Sequence, residues 1–189
     1  FFVCGASTNG LIGTHLIPAC LDYGISEVQG AALLAAMGLF DLAGTTASGW
    51  LSDRWDNRVL LSWYYGLRGL ALIFLPMFLG SASWGLPIFA VLYGLDWIAT
   101  VPPTVRLTSD AFGKDRAAVM FGWIVAAHQL GAAAAALGAG AVRTWMGDYE
   151  RAFLTSGALC LITAGFVLQI GRVRGREVGT VSLENVPEP

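Results

Sequence analysis

Long apolar stretches separated by short polar knots run the length of the chain, and their spacing sets the first expectation. A membrane-spanning helix needs about 20 mostly apolar residues. Six stretches meet that length: 1–21, 29–51, 59–79, 84–106, 117–142 and 151–170. Turn formers and charges gather between them in DYGISEVQ (22–29), SDRWDNR (52–58), GSAS (80–83), LTSDAFGKDR (107–116) and TWMGDYE (144–150). Nothing long enough to fold as a soluble domain is left over. The pattern predicts an all-α membrane protein: a six-helix bundle over 1–170, then a polar tail over 171–189 that is expected to be disordered and cytoplasmic.

Composition supports that picture. Hydrophobic residues make up 56% of the 189-residue chain and charged ones 13%, with a mean hydropathy of +0.63. These values lie outside soluble-domain averages and make the lipid bilayer an expected partner. A formal net charge of -2 suggests neither a nucleic-acid partner nor a polybasic surface anchor. Cys4, Cys20 and Cys160 sit in apolar runs with no CxxC spacing, as packing residues do. The first residue is Phe1, with no basic n-region or small-residue cleavage site ahead of the apolar run. The chain is therefore expected to begin inside a longer protein rather than with a signal peptide.

Lys and Arg fall unevenly, which predicts an orientation. Arg54, Arg58, Arg106, Lys114, Arg116, Arg172, Arg174 and Arg176 share one side if the even-numbered connections and the tail do, against Arg143 and Arg151 on the other. The basic side, with the SDRWDNR connection and the C-terminus, is expected to be cytoplasmic.

Charges inside the spans point to function, because an ionisable side chain near the bilayer centre is costly. Asp41 lies twelve residues from Asp53, Arg68 ten from Arg58, Asp96 ten from Arg106 and His128 twelve from Arg116. At 1.5 Å per residue those are depths of about 15–18 Å, mid-membrane on four different helices. Such a layer is where a transporter binds substrate and coupling ion. Two readings of Arg68 stand side by side: it contributes to that site, or it neutralises Asp41 or Asp96 in a packing pair. Asp41 is the sequential neighbour across the 52–58 connection, which leaves Asp96 less compensated and a candidate proton carrier. Thr8, Asn9 and His15 lie on the first span, with His15 nearer the outer mouth, where an imidazole can equally bond a helix carbonyl. Pro102 and Pro103 are expected to bend or end the fourth helix and free carbonyls near Asp96. The small-residue run GAAAAALGAG (131–140) permits close helix contact, and Trp50, Trp55, Trp63, Trp84 and Trp145 fit an interfacial belt.

The connection GWLSDRWDNR (49–58) adds a motif. Gly49 is placed to let a helix approach, Asp53 to accept from helix N-terminal amides, and Arg54 and Arg58 to hold the loop at the interface. Gly, three residues, Asp-Arg and a later base resemble the signature between the second and third helices of each half of a major facilitator superfamily transporter. Gly49, Asp53, Arg54 and Arg58 match it, while Asp56 and Asn57 depart from the preferred Gly and base. The resemblance covers nearly the whole chain and implies the C-terminal six-helix half, a missing N-terminal six-helix half, and alternating-access transport of a small-molecule substrate. It also implies that the first, second, fourth and fifth helices border the cavity, favouring Asp41, Asp96 and His128 over Arg68 as contacts. Less specifically, the chain resembles the monocarboxylate and oxalate:formate carriers, in which an Asp of the second helix is followed four residues later by an anion-facing Arg. Asp41 is followed instead by Thr45, leaving Arg68, His128 or the missing half to supply a cation for an organic anion.

Other classes leave weaker traces. The sequence holds no HExxH, GxSxG, P-loop or strand-linked GxGxxG, so neither a cofactor nor a metal is expected. An intramembrane hydrolase would rest on Asp41 and Asp96 alone. A non-transporting six-helix scaffold would leave the mid-membrane layer without a purpose.

Overall fold

The computed structural model describes residues 1–81 and 84–171. The tail from Arg172 onward, with Arg174 and Arg176, and Ala82 and Ser83 of the GSAS connection lie outside the described residues. Among those residues the regular structure is all helical. α1 (Phe2–Gly5), a π-helical segment (Ala6–Ile12) and α2 (Gly13–Asp22) together form the first expected span. There follow α3 (Glu27–Ser52), α4 (Asn57–Gly80), α5 (Gly85–Asp96), α6 (Val101–Phe112), α7 (Lys114–Met146) and α8 (Glu150–Val167). Among the described residues five helical stretches are long and apolar enough to cross a membrane: α3, α4, the Gly85–Phe112 stretch of α5 and α6, α7 and α8.

Local chemistry sets several ends. Ser26 caps α3 in a reciprocal box, its hydroxyl accepting from the Gln29 amide at 3.3 Å while its own amide donates to Gln29 Oε1 at 3.1 Å. Asp56 caps α4 by accepting from the Arg58 amide at 2.9 Å. Gly147 ends α7 at φ 90°, a left-handed conformation that glycine adopts without strain.

Small residues set how closely the rods pack. A Cβ on Gly69 of α4 would lie 2.8 Å from Gly157 O of α8, and one on Gly157 would lie 2.8 Å from Gly69 O. The two helices therefore cross backbone to backbone. The first span docks on α7 in the same way, since a Cβ on Gly5 would strike His128 O and one on Gly131 would strike Phe2 O. α3 meets α5 where Gly44 faces Leu95 O. In lipid, where hydrocarbon solvates apolar side chains on either surface, contact of this kind supplies much of the association energy.

The core runs along α4, α5, α8 and the first span, with Leu16, Leu72, Leu75 and Cys160 fully enclosed. α3 and α7 are the least enclosed and leave Leu39, Leu42, Trp123 and Leu137 exposed. Trp50, Trp55, Trp63, Trp84 and Trp145 are all exposed.

Candidate functional site

The fourth span breaks at residues 97–100, between α5 and α6. Proline explains the break. With no N–H on Pro102 or Pro103, Ile98 O and Ala99 O lose their usual i+4 donors, and α6 restarts with the two prolines in its first turn. The chain satisfies the freed groups one by one. Ile98 O accepts from the Val101 amide at 2.8 Å, and Ala99 O accepts from the Ser48 hydroxyl at 2.5 Å. Asp41 Oδ1 accepts from the Ile98 amide at 2.9 Å and from the Thr45 hydroxyl at 3.0 Å. α3 thus clasps the break from one side.

From behind, Arg68 holds it. This side chain is 1% exposed, and its Nε donates to Asp96 Oδ2 at 2.6 Å. Nη2 donates to Asp96 O at 2.6 Å and Trp97 O at 3.3 Å, while Nη1 donates to Cys4 Sγ at 3.0 Å. Cys4 Sγ also lies 3.3 Å from Thr100 Oγ1. Asp96 is 4% exposed, and its Oδ1 has no hydrogen-bond partner among the described residues.

This geometry corrects the expected pairing. Arg68 bonds Asp96 and not Asp41, so Asp96 is the compensated carboxylate and Asp41 is a backbone cap. Matching depth along the chain left both pairings open. The packing of α3 on α5 decided between them, because it turns Asp41 toward the exposed amide of Ile98 while α4 delivers Arg68 to the core side of the same break.

In front of the break lies a cavity of about 300 Å³ lined by Thr8, Asn9, Trp97, Ile98, Val125 and His128, among others. The π-helical turn, a form that recurs at functional sites, supplies Thr8 and Asn9. Thr8 Oγ1 donates to Cys4 O at 2.7 Å, and Tyr93 Oη ties the same turn down by donating to Ser7 O at 2.8 Å. Asn9 Nδ2 lies 3.4 Å from His128 Nε2, and His128 Nδ1 is buried without a hydrogen-bond partner among the described residues. Asp41, Arg68, Asp96 and His128 therefore surround one broken segment, with only His128 of the four lining this cavity. His15 stands apart, between Tyr149 Oη at 3.0 Å and Ala136 O at 2.8 Å. Sequence reading passed over Ser48 and treated Cys4 as packing; the double proline located the break without naming its partners.

At the end carrying the 52–58 connection, Asp53 pairs with Arg106 of α6. Its partner is a side chain rather than the helix amides expected, because Asp53 caps the C-terminal end of α3 and meets the last turns of α6. Among the described residues a Cβ on Gly49 would meet nothing within 4 Å, and the close approach on α3 is at Gly44. Arg54 stacks 4.1 Å over Trp50, and Arg58 binds both oxygens of Asp56 and donates to Ile170 O at 3.2 Å. The Arg58 guanidinium holds the Asp56 carboxyl below its ordinary value. At the opposite end Arg143 binds Asp22 through two bonds of 2.6 and 2.9 Å.

Among the described residues no cluster of His, Cys, Asp and Glu is arranged to hold a metal. The bundle is thus broken within its fourth helical stretch, with a buried ion pair behind the break and a cavity in front of it. The chain matches the Major Facilitator Superfamily model over residues 1–184 and belongs to that family. Membership places it with transporters rather than enzymes. It is 32% identical over 173 residues to the uncharacterized MFS-type transporter YcxA of Bacillus subtilis (strain 168), an alignment covering 87% of this chain and 40% of the relative. It is 29% identical over 158 residues to monocarboxylate transporter 13 of Rattus norvegicus, covering 82% and 36%. It is 28% identical over 184 residues to monocarboxylate transporter 12 of Homo sapiens, covering 92% and 35%. The chain thus spans 35–40% of the length of these curated relatives.

Proposed function

We propose that this chain is one six-helix half of a secondary active transporter that carries a small monocarboxylate, with a proton, by alternating access. The observation that carries the reading is the cavity at the broken fourth span. It is small, it lies against the broken backbone, and the first span and α7 wall it together with the break. Relatives named as monocarboxylate transporters support the substrate class. Proton symport is the reading charge favours: among the described residues no Lys or Arg lines the cavity, and moving one elementary charge through 100 mV costs about 2.3 kcal/mol. A companion six-helix half closes the cavity, and the 52–58 connection, with Arg54 and Arg58, faces the cytoplasm. A cysteine placed in that connection, in a variant without the native cysteines, is then labelled by an impermeant thiol reagent only from the cytoplasmic side.

Uptake by the full-length protein in liposomes tests the proposal. With the outside acid, radiolabelled lactate accumulates above its equilibrium level and the gain disappears when a protonophore is added. Lactate uptake no faster than in empty liposomes, or uptake indifferent to the pH difference, would refute it.

A further inference from the structure

We propose that a second cavity, at the end carrying the 52–58 connection, is the docking site of this chain's own segment RVRGR (172–176), which ties the exit of α8 to α6. The inference is independent of what the protein carries.

The cavity measures about 400 Å³ and lies between the start of α4, the end of α6 and the exit from α8, with Asn57, Arg58, Asp110 and Gly171 in its wall. Apart from the Trp55 indole, the side-chain donors of that wall are already engaged. Arg58 gives Nε and Nη2 to Asp56 and Nη1 to Ile170 O, and Asn57 Nδ2 donates to Ser52 O at 3.3 Å. The acceptors are not. Among the described residues Asn57 Oδ1 is buried with no hydrogen-bond partner, and the exposed Asp110 carboxylate has neither a hydrogen bond nor an ion pair. α6 adds the negative end of its dipole, with no basic residue in its last turn to offset it. Arg106, further back on α6, is committed to Asp53. Lys114 and Arg116 belong to the first turn of α7, beyond Gly113, and neither lines the cavity. A wall with open acceptors and spent donors suits a cation that carries several donors, and a guanidinium carries five.

The chain brings three arginines within five residues to the rim of this cavity. Ile170 and Gly171 both line it. Arg58 grips Ile170 O at 3.2 Å, and Gly171 turns the backbone at φ 77°. Arg172 is the next residue, and at no more than about 3.6 Å per residue Arg174 lies within about 11 Å of Gly171. A tether this short holds the guanidinium groups at a high effective concentration, an advantage that no separate cation or partner shares. Docked, the segment gives α6 a second ionic tie at this end, beside the one from α3 through Asp53 and Arg106.

Crosslinking reads the docking directly. Full-length protein lacking accessible cysteines is reconstituted in neutral lipid with Val173→Cys and Trp55→Cys, and treated with a short bis-maleimide. Val119→Cys, on an exposed face of α7 outside the cavity, replaces Trp55→Cys as the control. The Trp55 position crosslinks at least about 5-fold faster than the control. Asp110→Lys slows it about 2- to 5-fold, as expected for loss of an exposed ion pair, and Asp110→Asn slows it less. Adding Arg172→Glu, Arg174→Glu and Arg176→Glu to Asp110→Lys restores the rate. Equal rates at the two positions, or a rate indifferent to residue 110, overturn the proposal. So does a preference for the Trp55 position that appears only when anionic lipid is present, which assigns the arginines to the membrane surface instead.

Discussion

Replacing Arg68 by Met keeps roughly the shape of the side chain and removes its charge, which isolates what the guanidinium does. Four interactions disappear: the ion pair to Asp96 Oδ2, the bonds to Asp96 O and Trp97 O, and the bond to Cys4 Sγ. The largest consequence is a carboxylate left at 4% exposure with neither oxygen paired, since Oδ1 already lacks a partner among the described residues. Breaking a buried pair from one side costs about 3–5 kcal/mol. Arg68→Met therefore lowers the melting temperature, by less per kcal/mol in the full-length protein than the about 2–4 °C typical of a 150–250-residue chain. Adding Asp96→Leu removes the stranded charge and recovers most of that loss. It does not recover all of it, because the two carbonyls at the break still lack their donor, at about 1–3 kcal/mol for a buried orphan. Thermal unfolding of the detergent-solubilised full-length protein, followed by size-exclusion recovery, measures the double-mutant cycle. A double variant no more stable than Arg68→Met alone would refute the argument, because the deficit would then come from lost packing around the stem and not from an unpaired carboxylate.

Asp41→Ala strands the Ile98 amide and the Thr45 hydroxyl and lowers stability by about 1–2 kcal/mol by the same assay; Arg68→Gln fails to rescue it, whereas rescue would restore the Asp41–Arg68 pair. Gly44→Ala drives a methyl into Leu95 O and sharply reduces the yield of folded protein. Gly49→Ala meets open space within this chain and leaves the yield unchanged or slightly raised, since alanine is the better helix former by about 0.5–1 kcal/mol; equal losses for the two would show that the motif glycine also sits at a contact. The Asp56–Arg58 pair depresses the carboxyl, so its contribution is full above the ordinary value of 3.8 and fades as pH falls through the lowered one. Exchange of the Arg58 amide is therefore faster at about pH 3 than at pH 5 after correction for intrinsic rates, and Asp56→Asn abolishes the difference. With side chains 34% and 44% exposed, solvent screens the pair and keeps its contribution small.

Much of this protein could be read from one dimension. Apolar run lengths located the six segments, because a bilayer demands about 20 apolar residues whatever the fold. The pair Pro102–Pro103 announced a break, since proline has no donor to give, and counting from the helix ends brought Asp41, Arg68, Asp96 and His128 to one layer. The motif GWLSDRWDNR carried the family. What sequence could not supply was azimuth, the direction each residue faces around its helix. Helix depth is additive along the chain at 1.5 Å per residue, but which neighbour a side chain meets depends on crossing angles set by distant small residues such as Gly44, Gly69 and Gly157. That is why Asp41 and Asp96, alike in depth and chemistry, could be assigned opposite partners from sequence. The contact of Gly44 with Leu95 O settled which carboxylate Arg68 neutralises. The same cause hid the roles of Cys4 and Ser48, apolar-run residues whose polar partners lie 64 to 96 and 51 positions away, brought within reach only when the bundle closes.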